Sequence, residues 1–305
     1  MRLILSFLLI LIVSAGSAQQ SLLIQITSPE GGKPSYIFTA NNNALVTQYD
    51  FETILSHAAN NVNAIAFEWL PENYELDKIL EVMKNEEDKT LLKYYKREDN
   101  IRYELMIINK LQEDVEKYWN LQPLYTMQAF RNKDYADGFN YQQDILREVA
   151  LRQTKPVISL MNLRTIREQM RMIDFETQAA ILNNYVNKEA TFKVYEDEKW
   201  RFYEKQNLEG FYKAMSEIEH PVYLETIITR RASLIVDKIQ ALSAQQSTLY
   251  FLDASIVGGY NGVLQKLKGM NFVIEDIPVV LAKRVNGADI DLEFTETQQT
   301  DAFPE

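Results

Sequence analysis

Short apolar runs mark the two ends of this chain, and apolar residues fall into helical spacing between them. Leu22 to Thr27 is a β-type run, closed by a Pro29-Glu30-Gly31-Gly32 turn, and Ser35 to Thr39 is a second short apolar run. Phe51 to Ala59 has helical spacing, and Ala64 to Glu68 reads as a third strand ending at Pro71. Near the far end, Thr248 to Leu252 and Asn271 to Ile277 read as strands, with a glycine loop and a helix (Val263 to Lys268) between them. Glycine and proline mark the same division. Neither occurs between Pro71 and Pro123, and Pro156 alone occurs from Phe139 to Glu209.

The middle, about residues 72–242, therefore reads as helix. Ile101, Leu105, Ile108, Leu111, Val115 and Tyr118 are spaced to form one buried stripe. Leu76 to Met83, Asp144 to Thr154, Leu163 to Tyr185, Leu208 to Ile218 and Leu224 to Leu242 are further helices, and Pro156 to Leu160 is a short strand among them. The charge-dense Lys84 to Asn100 reads as a solvated helix face, and Trp200, Phe202, Tyr203, Phe211 and Tyr212 as core. The pattern predicts an α/β fold. Strand-loop-helix units from both ends build one mixed central sheet, so strands near Ile37, Ile65 and Phe251 share it, and the helical middle packs on it.

Residues 1–18 stand apart. Arg2, an apolar run from Leu3 to Val13, and small residues ending at Ala18 have the layout of a cleaved signal peptide. A run of eleven residues, all apolar but Ser6, is too short to cross a bilayer of about 30 Å. This predicts a secreted or periplasmic protein cut after Ala18, with a domain over 19–285 and no membrane span in the mature chain. Residues 286–305 form a tail with six acidic residues and no basic one.

Composition removes whole classes of chemistry. The 305 residues include no cysteine and two histidines, so thiolate metal sites, disulfides and a three-histidine centre in one chain are excluded. A net charge of −11 argues against a nucleic-acid partner. His57 and His220 belong to no ligand pair, Ser255 stands in no G-x-S-x-G elbow, and Gly258-Gly259-Tyr260-Asn261-Gly262 lacks the Lys-Ser/Thr of a phosphate loop. That glycine loop is read as a tight turn feeding a packed helix.

Several segments, in order, resemble the TraB/GumN family, which includes the Tiki proteases and pheromone-shutdown proteins. Ser21 to Ile26 and Pro34 to Phe38 look like its opening strand pair, and Ala66-Phe67-Glu68 like its strand ending in Glu. Lys155 to Leu160 resembles "GKPVxGLE", Thr229-Arg230-Arg231 the "ERN" helix, and Asp253 to Gly262 "GAGHxxGxxG". The resemblance implies a metal-dependent hydrolase or peptidase scaffold with histidines in two Gly-x-x-His motifs. Here those motifs begin at Thr39 and Asp253, and Asn42 and Ile256 occupy the histidine positions. Met161 replaces the Glu of "GLE", and Arg231 the Asn of "ERN". Isoleucine offers no lone pair, and an asparagine carbonyl suits hard cations only weakly.

Two readings follow. In the favoured one the chain is a non-catalytic binding protein for a protein or peptide ligand, needs no cofactor, and keeps Glu68 and Arg230 as a semi-buried ion pair. In the alternative, Glu68, Asp253 and Asn42 hold a divalent metal in an oxygen-rich hydrolase site, with Glu68 and Arg230 as the catalytic candidates. A planar ligand such as haem on a tyrosine is a third, lesser option.

Overall fold

The computed structural model describes residues 21–70, 76–85, 89–134 and 141–284. The expected signal segment at residues 1–18, Pro71 and residues 286–305 lie outside them. Six strands form one sheet: β1 (Leu23–Thr27), β2 (Ser35–Ala40), β3 (Ala64–Phe67), β4 (Val157–Ser159), β5 (Thr248–Asp253) and β6 (Val273–Ile277), in the order β4-β3-β5-β2-β1-β6. Strands β4, β3, β5 and β2 run parallel, while β1 pairs antiparallel with both β2 and β6. The expected sheet is present. The two end units lie side by side, with Tyr36 opposite Leu249 and Phe38 opposite Phe251. Every residue of β2 is buried, as parallel strands covered on both faces require.

The helices are α1 (Glu52–Asn60), α2 (Leu76–Met83), α3 (Arg97–Met106), α4 (Val115–Trp119), α5 (Pro123–Asp134), α6 (Tyr141–Arg152), α7 (Leu163–Arg171), α8 (Phe175–Asn187), α9 (Glu189–Glu204), α10 (Leu208–Ile218), α11 (Arg230–Ser243), α12 (Ala254–Val257) and α13 (Val263–Gly269). Their apolar faces join the sheet residues in one continuous core.

Three sequence expectations need correction. Leu163 to Tyr185 is two helices, because Asp174 starts α8 by accepting from the Thr177 backbone N–H. Lys84 to Asn100 is not one helical face: a 3-10 turn at Leu91–Lys93 precedes α3, which begins at Arg97. The stripe from Ile101 to Tyr118 is neither continuous nor buried. A π turn (Ile107–Leu111) and left-handed Gln112 end the first helix, and Ile101, Leu105 and Ile108 stay about half exposed. The buried side of α3 carries Tyr103, Met106 and then Ile107.

Candidate functional site

The four parallel strands bring their C-terminal ends to one edge, where open α/β sheets place their ligand sites. Glu68 follows β3. Its backbone N–H donates to Phe251 O at 3.2 Å, and its carbonyl accepts from Met161 N at 3.0 Å, so neighbouring strands fix it from both sides. Its carboxylate Oε2 accepts from the Asp253 backbone N–H at 3.3 Å. Oε1 lies 3.1 Å from Arg231 Nε.

The expected partner was Arg230, and the pair forms with the next residue. Arg230 is exposed, its Nη1 3.6 Å from Met172 Sδ. Helical position explains the difference: Ala232, Ile235, Val236 and Ile239 form the buried face of α11, Arg231 lies half-buried beside it, and residue 230 falls outward.

Asp253 ends β5 and caps α12, its Oδ1 accepting from Ser255 N–H at 2.8 Å. Arg231 Nη2 approaches Ser255 Oγ at 3.5 Å. Among the described residues the Nε–H of Arg231 has no well-aimed acceptor, although Glu68 is near, and the buried indole N–H of neighbouring Trp69 has no partner. Burial raises the Glu68 carboxyl above its ordinary range; the Arg231 charge opposes this, the Asp253 charge adds to it, and the Asp253 N–H opposes it. Burial works against the Arg231 charge, but Glu68 and then Asp253 outweigh it.

The motif positions fall around this edge in different ways. Thr39 is fully buried, its Oγ1 donating to Leu22 O at 3.2 Å. Asn42 lies half-buried on the loop after β2. Ile256 is fully buried in α12, and Met161 is buried after β4. The glycine loop is a packing device, as expected. Gly259 has φ +79°, and a Cβ there would lie 2.4 Å from the Tyr212 ring; one on Gly262 would lie 2.0 Å from Gly258 O. The aromatic cluster is core in its Trp200, Tyr203 and Phe211 members.

A clamp missed at the sequence level holds the loop of Asn42. Tyr203 donates to Thr39 O at 2.8 Å and accepts from Gln142 Nε2 at 3.0 Å, and Gln142 Oε1 accepts from Asn41 N–H at 2.9 Å. Tyr223 was missed as well; it is buried within electrostatic reach of Arg231 and Asp253. Spacing marks these residues as core and gives no sign of the polar work at their tips.

The sequence model of the TraB/PrgY/gumN family matches residues 23–276 of this chain. The chain belongs to the TraB/PrgY/gumN family. No curated protein and no solved structure matches it. Measured against the motif histidines expected of a TraB/GumN scaffold, the edge offers a different donor set. Glu68 and Asp253 are neighbours, but a guanidinium occupies the position beside them that a cation would need. Among the described residues no three His, Cys, Asp or Glu side chains group closely enough to hold a metal ion. As arranged, these donors do not fit a divalent metal centre.

Proposed function

We propose that this TraB/PrgY/gumN chain is an exported, non-catalytic binding protein that takes a protein or peptide ligand at the C-terminal edge of its sheet. The observation carrying this reading is that one Glu68 oxygen is ion-paired with Arg231 and the other accepts from the Asp253 N–H. Buried Ile256, at a histidine position of the family pattern, supports it. The test is dialysis of the purified chain against Mn²⁺, Co²⁺, Zn²⁺ and Ca²⁺, followed by measurement of bound metal. The expected result is no stoichiometric binding. One equivalent of metal, lost in Glu68→Ala, overturns the reading.

The alternative reading is a metal-dependent hydrolase using Glu68, Asp253 and Asn42, in which Arg231 would have to leave Glu68 and the carboxyl would have to exchange its proton for a metal. A carboxyl with a raised pKa at a strand end is a common mark of acid–base sites. The same dialysis separates the two. Export rests on the leader-like segment; it predicts that the protein recovered from outside the cytoplasm begins at Gln19, which N-terminal sequencing checks. Among the described residues no helix is long and apolar enough to cross a membrane.

A further inference from the structure

A cavity of about 330 Å³ lies between the loop that follows β2, the C-terminal end of α5, and helices α8 and α9. We propose that this cavity binds one ring of a neutral hexose. Its volume falls at the lower end of the roughly 300–1,000 Å³ of small-molecule sites, room for a single ring and not for an extended chain. Asn43 and Leu45 form the loop wall, and Tyr185 and Phe192 supply aromatic surface. Apolar ring surface of this kind suits the C–H faces of a sugar. The rest of the lining is ionic, with Arg131, Asp134, Glu189 and Glu196 joined by the exposed Lys193 and Asp197. So polar a lining argues for a hydroxyl-rich occupant over an apolar one.

The charges select a neutral ligand because the protein has largely matched them already. Lys110, on the π turn and outside the lining, lies 2.5 Å from both Asp134 Oδ1 and Glu189 Oε1. Lys199 holds Glu196 at 2.5 Å, and Glu219 holds Arg131 through two hydrogen bonds. Lys193 and Asp197 carry opposite charges one turn apart on α9. An anion entering here meets Asp134, Glu189 and Glu196, and a cation meets Arg131 and Lys193, so an ionic ligand loses to one set what it gains from the other. Hydroxyls avoid that conflict, since each both donates and accepts. The paired carboxylates keep lone pairs for hydroxyl donors, and the Tyr185 hydroxyl, donating to Asp134 Oδ2 at 2.9 Å, fills one of them. On the donor side, Arg131 is 9% exposed, and among the described residues its Nε–H has no acceptor. A buried N–H without an acceptor is costly, and a sugar oxygen would supply one. Hydrogen bonds between hydroxyls and these charged groups are of the stronger, charge-assisted kind.

This inference does not depend on the peptide reading of the sheet edge. The test is calorimetric titration of the purified full chain with the methyl glycosides of glucose, mannose and galactose, with saturation-transfer NMR to detect weak binding. At least one should bind saturably with a Kd of about 0.1–10 mM. The uronic acid and amino-sugar counterparts of that hexose should bind about tenfold more weakly, because each restores a charge conflict. Asp134→Ala and Glu189→Ala should each weaken binding about tenfold by removing an acceptor. Both side chains are partly exposed, at 35 and 43%, so the thermal midpoint should stay within a few degrees. Should Glu189→Ala unfold, Glu189→Gln, which keeps the shape and gives up the charge, should still weaken binding about threefold. No saturable binding of any of the three glycosides up to about 50 mM overturns the proposal and leaves the cavity to water. So does tighter binding of a charged counterpart, or binding that the folded Asp134 and Glu189 variants leave unchanged.

Discussion

Arg131 and Glu219 meet in the helical region through two hydrogen bonds of 2.6 and 3.1 Å, whereas Arg231 and Glu68 meet at the sheet edge through one 3.1 Å approach. The first pair is sealed. The Glu219 side chain is 2% exposed, and the Arg131 guanidinium lies 5.2 Å from the Tyr185 and Phe192 ring centres and 5.9 Å from that of Tyr223. The second pair is more open, less well aimed, and shares its charge with Asp253. Burial tends to neutralise Arg131, but Glu219 overcomes this and holds it firmly protonated. At the edge, burial prevails and Glu68 gives up its proton reluctantly. One pair is built as a brace. The other is less enclosed and lies where loops gather, which is the condition of a site that can take a ligand.

The largest predicted effect tests the brace. Arg131→Met leaves Glu219 buried without a counter-charge and should cost about 3–5 kcal/mol, read by urea denaturation. Arg231→Met should cost about 1–2 kcal/mol, because Glu68 can take up a proton instead of remaining an unpaired anion. Equal losses would erase the distinction between the two pairs.

The pH dependence sharpens it further. Glu68 titrates above its ordinary 4.5 in the folded chain, so the fold binds this proton more tightly than the unfolded chain does. The stabilisation from that proton is complete below 4.5 and is lost as pH rises through the higher folded value. Wild type should therefore gain stability relative to Glu68→Gln as pH falls from 7 toward 4.5. Denaturation midpoints at several pH values check this, and a relative loss would mean that the ion pair, not burial, governs Glu68. Asp174 is a control of opposite sign. Its carboxyl is held low by hydrogen bonds from Thr177, so its capping contribution is present above 3.8 and fades as pH falls through the lower folded value.

Much of this fold was legible because short strands bounded by glycine and proline carry their own signal. The five longer strands fall where the apolar runs lie, and their membership of one sheet follows from the strand-loop-helix repeat at the two ends. Periodicity failed where a helix has two apolar faces. Ile101, Leu105 and Ile108 satisfy the spacing rule as well as Tyr103, Met106 and Ile107 do, and only tertiary packing decides which face turns inward. Glu68 was legible from its place after an apolar strand. Its partner was misplaced by one residue because the triplet was matched by likeness and not by the inward face that Ala232 and Ile235 define. The Gln142–Tyr203 clamp was invisible, since a core tyrosine shows nothing of where its hydroxyl will reach.

The smallest expected effect asks whether brace and site are independent. The Tyr223 ring lies against Arg131, and the same residue is within electrostatic reach of Arg231 and Asp253. Burial raises its hydroxyl pKa; Arg131 and Arg231 both lower it, while Glu219 and Asp253 raise it further. Residues sharing a partner couple, whereas separate ones add within about 0.3–0.5 kcal/mol. Arg131→Met combined with Arg231→Met should therefore depart from additivity by about 0.5–1 kcal/mol, measured at matched pH. Repeating the cycle in a Tyr223→Leu background should remove the departure. Persistence of the coupling there would route it through the surrounding helices, and strict additivity in the wild-type background would make the polar edge independent of the brace beneath it.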